Sequence, residues 1–170
     1  MELAIFLILA IILVIASILV IAQRNPVASA LFLILALVTQ AFLYILLRAT
    51  FLAIIQIIVY AGAIMVLFLF VIMLLNLRKD EFGREKKRAQ RFFAILFGVL
   101  LLIEIGVAVK LSITGLPQTP VGLSPEFGNA YSIGKALFTD YLFPFEVTSL
   151  LLLVAMVGAI VLTKKTTNKE

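Results

Sequence analysis

Residues 57–76 read IIVYAGAIMVLFLFVIMLLN, a run that is apolar almost throughout. About 20 apolar residues are enough to cross the ~30 Å hydrocarbon core of a bilayer as a helix. Tyr60 and Gly62 lie inside this run, although a segment that only spans a membrane needs neither a phenol nor a residue that weakens helices. The run therefore predicts a membrane helix with a polar, deformable position near its beginning.

The rest of the chain has the same apolar character. Hydrophobic residues make up 64% of the 170 residues and charged residues 14%, whereas a soluble domain is closer to half apolar and about one quarter charged. Because lipid offers no partners to open backbone groups, helices are the expected spanning structure. The sequence predicts an all-α, polytopic membrane protein, a single membrane domain over 1–170 with an outer loop at 112–144. Its five predicted transmembrane helices lie at about 3–22, 27–47, 51–77, 92–111 and 145–163.

The third predicted helix is longer than a membrane requires. Its about 27 residues would extend roughly 40 Å, so we expect it to tilt, to protrude or to be locally irregular. Gln56 and Tyr60 are four residues apart, which places them on one face of a regular helix. Gly62 leaves room for a neighbouring backbone and lowers the energy of a local distortion. From these residues alone, helix packing is the favoured role of the patch.

Cysteine and histidine are both absent from the chain. The common ligands of Fe–S clusters, haem and zinc are therefore missing, as are the side chains of the histidine-based and cysteine-based catalytic arrangements. The sequence predicts no catalytic residue, no cofactor site and no metal site in this chain.

Lys and Arg are distributed unevenly over the predicted connectors, and positive residues favour the cytoplasmic side of a membrane. Eleven would lie on one side: Arg24, Arg78, Lys79, Arg84, Lys86, Lys87, Arg88, Arg91, Lys164, Lys165 and Lys169. Three would lie on the other: Arg48, Lys110 and Lys135. The N-terminus is therefore predicted outside and the C-terminus in the cytoplasm. This bias explains the net charge of +5 better than nucleic-acid binding does.

The notable polar groups inside the predicted helices are Gln40, Tyr44, Gln56, Tyr60 and Glu104, with Glu146 near the outer end of the fifth helix. Glu104 lies near the middle of the fourth helix, where a carboxylate costs roughly 2.5–3.5 kcal/mol on insertion scales. The residues three and four positions away are apolar and cannot pair with it. Two interpretations stay open: a possible proton relay, or a protonated acid that holds a helix contact.

The second part of the outer loop also has a helical pattern. Ile133, Leu137 and Tyr141 recur every four residues with polar residues between them. The spacing favours a short amphipathic helix at the outer interface, and an ordinary packed loop explains it equally well.

Two stretches resemble one known family. Residues 57–76 closely resemble the third helix of the J subunit in the membrane arm of the proton-pumping NADH:quinone oxidoreductase, respiratory complex I. Residues 133–162, IGKALFTDYLFPFEVTSLLLLVAMVGAIVL, resemble the last loop and helix of that family, and the NP of QRNPVASALF resembles its first connector. The resemblance covers most of the chain and is weakest at 78–91 and 112–130.

The resemblance implies a multi-pass protein of the bacterial inner (plasma) membrane. The implied function is that of a non-redox subunit, which couples quinone reduction to proton translocation through conformational change of the third helix. No cofactor is expected in this chain, although the whole complex is expected to use FMN, Fe–S clusters, NADH and quinone. The implied partners are lipid and other membrane-arm subunits, especially the small K subunit and the quinone-site subunits, and no nucleic acid.

The resemblance also assigns site residues. The third helix of the family is known for a π-bulge near the YAGA segment, which converts between π and α forms and so makes or breaks a water path towards the pump. Tyr60, Gly62, Met65 and Val66 occupy the matching positions. Gln56 belongs to the same gate and proton path, and it stands where some members carry a glutamate.

Two other functions are compatible with a small membrane protein. A stand-alone transporter is disfavoured because five helices cannot form two equal inverted halves and because inward polar groups are few. A purely structural scaffold fits the small residues, and only Tyr60 and Glu104 argue against it.

Overall fold

The computed structural model describes residues 1–75, 88–115 and 127–164, with the backbone alone at 88–91 and 112–115. All regular structure within these ranges is helical, which confirms the all-α prediction. In chain order the helices are α1 (Glu2–Ala22), α2 (Pro26–Leu46), α3 (Thr50–Ile55), a π-helical segment (Gln56–Ile64), α4 (Met65–Leu74), α5 (Arg88–Gly115), α6 (Ala130–Phe138) and α7 (Leu142–Thr163).

Five stretches of the described chain are long and apolar enough to cross a membrane. They are Glu2–Ala22, Pro26–Leu46, Thr50–Leu74, Phe92–Leu111 and Leu142–Thr163, and their ends agree with the predicted spans to within three residues. Thr50–Leu74, here called the third span, runs through α3, the π segment and α4. Residues 76–87 and 116–126 lie outside the described residues, and the sidedness argued from connector charges stays a prediction.

The connector between α1 and α2 is held by local hydrogen bonds. The Asn25 side chain accepts a hydrogen bond of 2.9 Å from the backbone N–H of Val27, and Pro26 is the first residue of α2, as its fixed φ favours. The Ser29 hydroxyl also donates to the carbonyl of Val20. These bonds satisfy groups that a helix end leaves without partners.

A tight turn ends α2 and leads into the third span. Arg48 adopts a left-handed conformation with φ 63°, and the N–H of Ala49 donates to the carbonyl of Tyr44 over 2.9 Å. This is the hydrogen-bond pattern of a Schellman ending. Because both connectors are so short, α1, α2 and the third span are consecutive antiparallel neighbours.

The core between these helices is built mainly from alanine. The buried apolar residues are Ala16, Ala30, Ala36, Ala41, Ala53, Ala61 and Met65. Lipid is as apolar as leucine, so membrane helices associate through close packing, which small residues allow. The large apolar side chains of the described helices are mostly exposed, available to lipid and to other chains.

The chain divides into two compact units, Met1–Leu74 with Leu123–Glu170, and Leu75–Gly122. In the first unit, α6 contacts α7 through the edge-to-face rings of Phe138 and Phe145, whose centroids are 5.1 Å apart. The second unit contains α5. Of the two alternatives for residues 133–141, a short helix is present, but it ends at Phe138, and Tyr141 instead precedes α7. The single membrane domain over 1–170 stays a prediction.

Candidate functional site

The π-helical segment Gln56–Ile64 lies inside the third span, after the six residues of α3 and before the ten residues of α4. Its backbone N–H groups bond to carbonyls five residues earlier instead of four. Of the three alternatives left open for this long helix, local irregularity is confirmed, and the π geometry occurs where the resemblance implied it. Because π turns are frequent at functional sites, this segment defines the candidate site.

The buried face of the third span shifts at the π segment. Its buried residues are Ala53, Gln56, Ala61 and Met65, at spacings of three, five and four. The five-residue step reflects the i→i+5 closure. Tyr60 takes no part in this face and is 49% exposed. The prediction that Gln56 and Tyr60 share one face is therefore wrong for the π form of this helix.

The contact that a side chain at Gly62 would make lies within the same helix. A Cβ atom at this position would lie 3.1 Å from the carbonyl oxygen of Ile57, which belongs to the same helix five residues earlier. The expected close approach of a neighbouring helix backbone is not what crowds this position. The second expectation, that Gly62 lowers the energy of a local distortion, stays a prediction.

A chain of polar side chains connects α2 with the first residue of the π segment. The Gln56 Nε2 group donates to Gln40 Oε1 over 3.3 Å, and Gln40 Nε2 donates to the Tyr44 hydroxyl over 3.0 Å. Gln56 is only 7% exposed. A buried amide without a partner would be costly, so the bond to Gln40 stabilises Gln56 at this place.

The beginning of the third span is held at a second point. The backbone N–H of Phe51 donates to the carbonyl of Gly128 over 2.9 Å, so a residue far along the chain satisfies a free N–H at the start of α3. Gly128 has φ +72°, and a Cβ there would lie 2.5 Å from the carbonyl oxygen of Arg48. Only glycine fits this contact without strain.

The other predicted site residues have different surroundings. Met65 is buried at the start of α4, whereas Val66 beside it is exposed. Tyr60, Gly62, Met65, Val66 and Gln56 thus lie together on the third span, and their gating role stays a prediction. Glu104 lies on α5 in the second unit and its side chain is exposed. Its role as a proton relay also stays a prediction.

Sequence reasoning missed two features of the site. Gln40 and Tyr44 stand out as polar residues, and their i,i+4 spacing on a helix was a usable signal for a bond between them. The partnership of Gln40 with Gln56 joins two helices and depends on their rotation, which no local pattern specifies. The hydrogen bond from Phe51 N–H to the Gly128 carbonyl could not be predicted either, because the two residues are far apart in the chain.

Comparison with known proteins found a matching family and several relatives. The model of one protein family, NADH-ubiquinone/plastoquinone oxidoreductase chain 6, matches residues 16–162. The chain is 42% identical over 157 residues to NADH-ubiquinone oxidoreductase chain 6 of Marchantia polymorpha, covering 86% of this chain and 78% of the relative.

Two further relatives come from a bacterium and a chloroplast. NADH-quinone oxidoreductase subunit J of Rickettsia typhi is 35% identical over 146 residues, which cover 84% of this chain and 71% of the relative. The chloroplastic NAD(P)H-quinone oxidoreductase subunit 6 of Staurastrum punctulatum is 46% identical over 143 residues, which cover 81% and 76%. The matches extend over most of the five-span chain, and on this basis it belongs to the family of NADH-ubiquinone/plastoquinone oxidoreductase chain 6, the membrane subunit called J in bacterial NADH-quinone oxidoreductase.

Proposed function

We propose that this chain is a non-redox membrane subunit that couples quinone reduction to proton translocation through conversion of the third span between π and α forms. The observation that carries the proposal is the five-residue step from Gln56 to Ala61 on the buried face. This spacing means that the turn contains one residue more than an α-helical turn. Conversion to an α-helical turn would therefore change which side chains face α2.

The geometry gives the direction of that change. If Gln56 keeps its place and the segment becomes α-helical, the residue four positions later shares its face. Tyr60 then takes the position of Ala61, and Ile64 takes the position of Met65. Each later residue turns by roughly 100°, the rotation for one residue in a helix of 3.6 residues per turn.

This rotation would change the polarity along the third span. The Tyr60 hydroxyl would move from an exposed position to the face of Gln56, and Met65 would leave its buried position. Val66 would turn with it. Such an exchange of a phenol for an alanine can open or close a path for water, because a water molecule in an apolar environment needs polar partners.

The same proposal specifies surroundings and partners. The exposed apolar surfaces of the described helices are suited to lipid and to other membrane-arm subunits, among which we propose the small K subunit and the quinone-site subunits. We place the complex in the bacterial inner membrane, with FMN, Fe–S clusters, NADH and quinone handled by other chains. The scaffold role is the alternative if the third span never converts.

Gly62→Val tests the coupling in the assembled oxidoreductase. Its β-branched side chain would crowd the Ile57 carbonyl that lies 3.1 Å from the Cβ position, so we expect the π form to be disfavoured. Electron transfer from NADH to quinone and proton uptake into inverted membrane vesicles are measured together. We expect fewer protons translocated per electron, with a smaller loss in the amount of assembled complex.

Gly106→Val is the matched control, because a Cβ at Gly106 has no described atom within 4 Å. It should leave the ratio of protons to electrons unchanged. Tyr60→Phe removes only the hydroxyl and should have a smaller effect than Gly62→Val. Assembled Gly62→Val complex with normal turnover and normal pumping would refute the gate and leave the third span as a packing element.

A further inference from the structure

A hydrogen-bonded amide pair, Gln40 on α2 and Gln56 on the third span, lies where the π segment begins. Gln56 is the first residue of the π segment, and its bond to Gln40 joins that residue to α2. The second hydrogen bond of Gln40, to the Tyr44 hydroxyl, occupies its Nε2 group. The amide of Gln40 is thereby oriented with its oxygen towards Gln56.

A conversion between π and α forms needs one end of the helix to stay in place while the other turns. The two described hydrogen bonds that join the third span to other elements both lie before the middle of the π segment. One is the bond from Phe51 N–H to the Gly128 carbonyl, and the other is the bond from Gln56 to Gln40. The α3 helix is therefore held at its first turn and just beyond its end.

We propose that Gln40 is a positioning residue that holds Gln56 against α2, so that conversion turns only the part of the third span after Gln56. This inference rests on the proposed function. Without Gln40, Gln56 would rotate as well, and the same change of register would be divided between both ends of the helix. Tyr60 would then reach the buried face only in part.

The first experiment removes the amide. Gln40→Met keeps an unbranched side chain of similar length but cannot accept from Gln56. We expect protons translocated per electron to fall by up to about threefold, the factor that losing one membrane hydrogen bond of average strength introduces into a two-state equilibrium. Electron transfer should fall less. If this variant does not assemble, Gln40→Asn, which is too short by one methylene, is measured in the same way.

Thr39→Val is the matched control. Thr39 is the neighbouring residue on α2, is 4% exposed, and donates only within its own helix, to the Leu35 carbonyl over 2.8 Å. Loss of the Thr39 hydroxyl should leave the ratio of protons to electrons unchanged. A normal ratio in assembled Gln40→Met or Gln40→Asn complex would overturn the proposal, as would an equal fall in the control.

The second experiment replaces the hydrogen bond by a covalent one. The chain has no cysteine of its own, so Gln40→Cys combined with Gln56→Cys can be bridged by a short bifunctional thiol reagent and followed by the mass of this chain. The unbridged double variant should have a ratio no higher than that of Gln40→Met, and bridging should raise it. A bridge that lowers the ratio further would mean that Gln56 must rotate, which contradicts the inference.

The two proposals can fail separately. If Gly62→Val leaves pumping normal, the gate itself is wrong. If Gly62→Val uncouples the complex but neither Gln40→Met nor the bridge changes the ratio, the gate stands and Gln40 is a packing residue.

Discussion

At the scale of single residues, Glu104 is the carboxyl group that lies nearest the middle of a described membrane span. It stands near the middle of the span Phe92–Leu111, where an ionised carboxylate costs roughly 2.5–3.5 kcal/mol on insertion scales. Such a cost is tolerated when the acid is protonated or when it faces a partner or water. A role for Glu104 in proton movement stays a prediction.

Glu104→Gln separates the two interpretations. The amide preserves shape and hydrogen bonding, so we expect the complex to assemble in normal amounts. A proton relay predicts lower proton pumping and lower turnover, measured in the same vesicles, whereas a protonated contact predicts normal values for both. Loss of the complex from the membrane would contradict both interpretations and indicate an essential ion pair.

The sequence drew attention to two residues of the π segment, and it predicted one relationship between side chains that the π form does not have. Gly62 and Tyr60 stood out because neither is needed in a simple span, and both lie in the π segment. The shared face of Gln56 and Tyr60 failed because it assumed 3.6 residues per turn. A π turn contains one additional residue, and the types of the side chains in the segment do not reveal its presence.

At the scale of helices, lengths and boundaries were predictable, since membrane thickness fixes them. The contacts between helices were not, because alanines such as Ala30 and Ala53 look alike in sequence whether they are buried or exposed. The left-handed turn at Arg48, which ends α2, was not predictable either. A positive φ is unusual for a residue with a side chain, and the sequence alone distinguishes Arg48 only by its charge.

Gly128→Ala tests the anchor at the beginning of the third span. The new Cβ would lie 2.5 Å from the Arg48 carbonyl oxygen, at a φ of +72°, and a left-handed conformation with a Cβ costs roughly 1–2 kcal/mol before any clash. We expect the N–H of Phe51 to lose its partner and the complex to dissociate at a lower temperature. Thermal stability is measured by the amount of intact complex remaining after heating.

Gly134→Ala is the control for that experiment. Gly134 lies within α6, and a Cβ there has no described atom within 4 Å, so alanine should be neutral or slightly stabilising, as helix propensity predicts. Equal thermal stability of the two variants would show that Gly128 does not anchor the beginning of the third span.

At the scale of the whole molecule, the distribution of apolar surface matters most. The described side chains of the span Phe92–Leu111 and of α7 include no buried residue, so these helices gain little from packing within their own units. Lipid can cover them, and so can other subunits, as membership of the oxidoreductase family requires. A self-sufficient transporter would instead be expected to enclose a polar pathway within its own helices.

Membrane topology gives the last prediction, which two single cysteines can test. Ser124→Cys and Glu85→Cys would each be the only cysteine of this chain, and both positions lie outside the described residues. Labelling with a membrane-impermeant thiol reagent, from each side in turn, reports where each position lies. We expect position 124 to react from outside and position 85 from the cytoplasm.

The two parts of that outcome have different causes. A single span, Phe92–Leu111, separates the two positions, so opposite sides follow from the number of crossings alone. Which side is which follows from the eleven-to-three distribution of Lys and Arg, since positive residues near the ends of membrane helices are retained in the cytoplasm. Labelling of both positions from one side would contradict the five-span arrangement, whereas opposite but exchanged sides would leave the spans intact and reverse only the orientation.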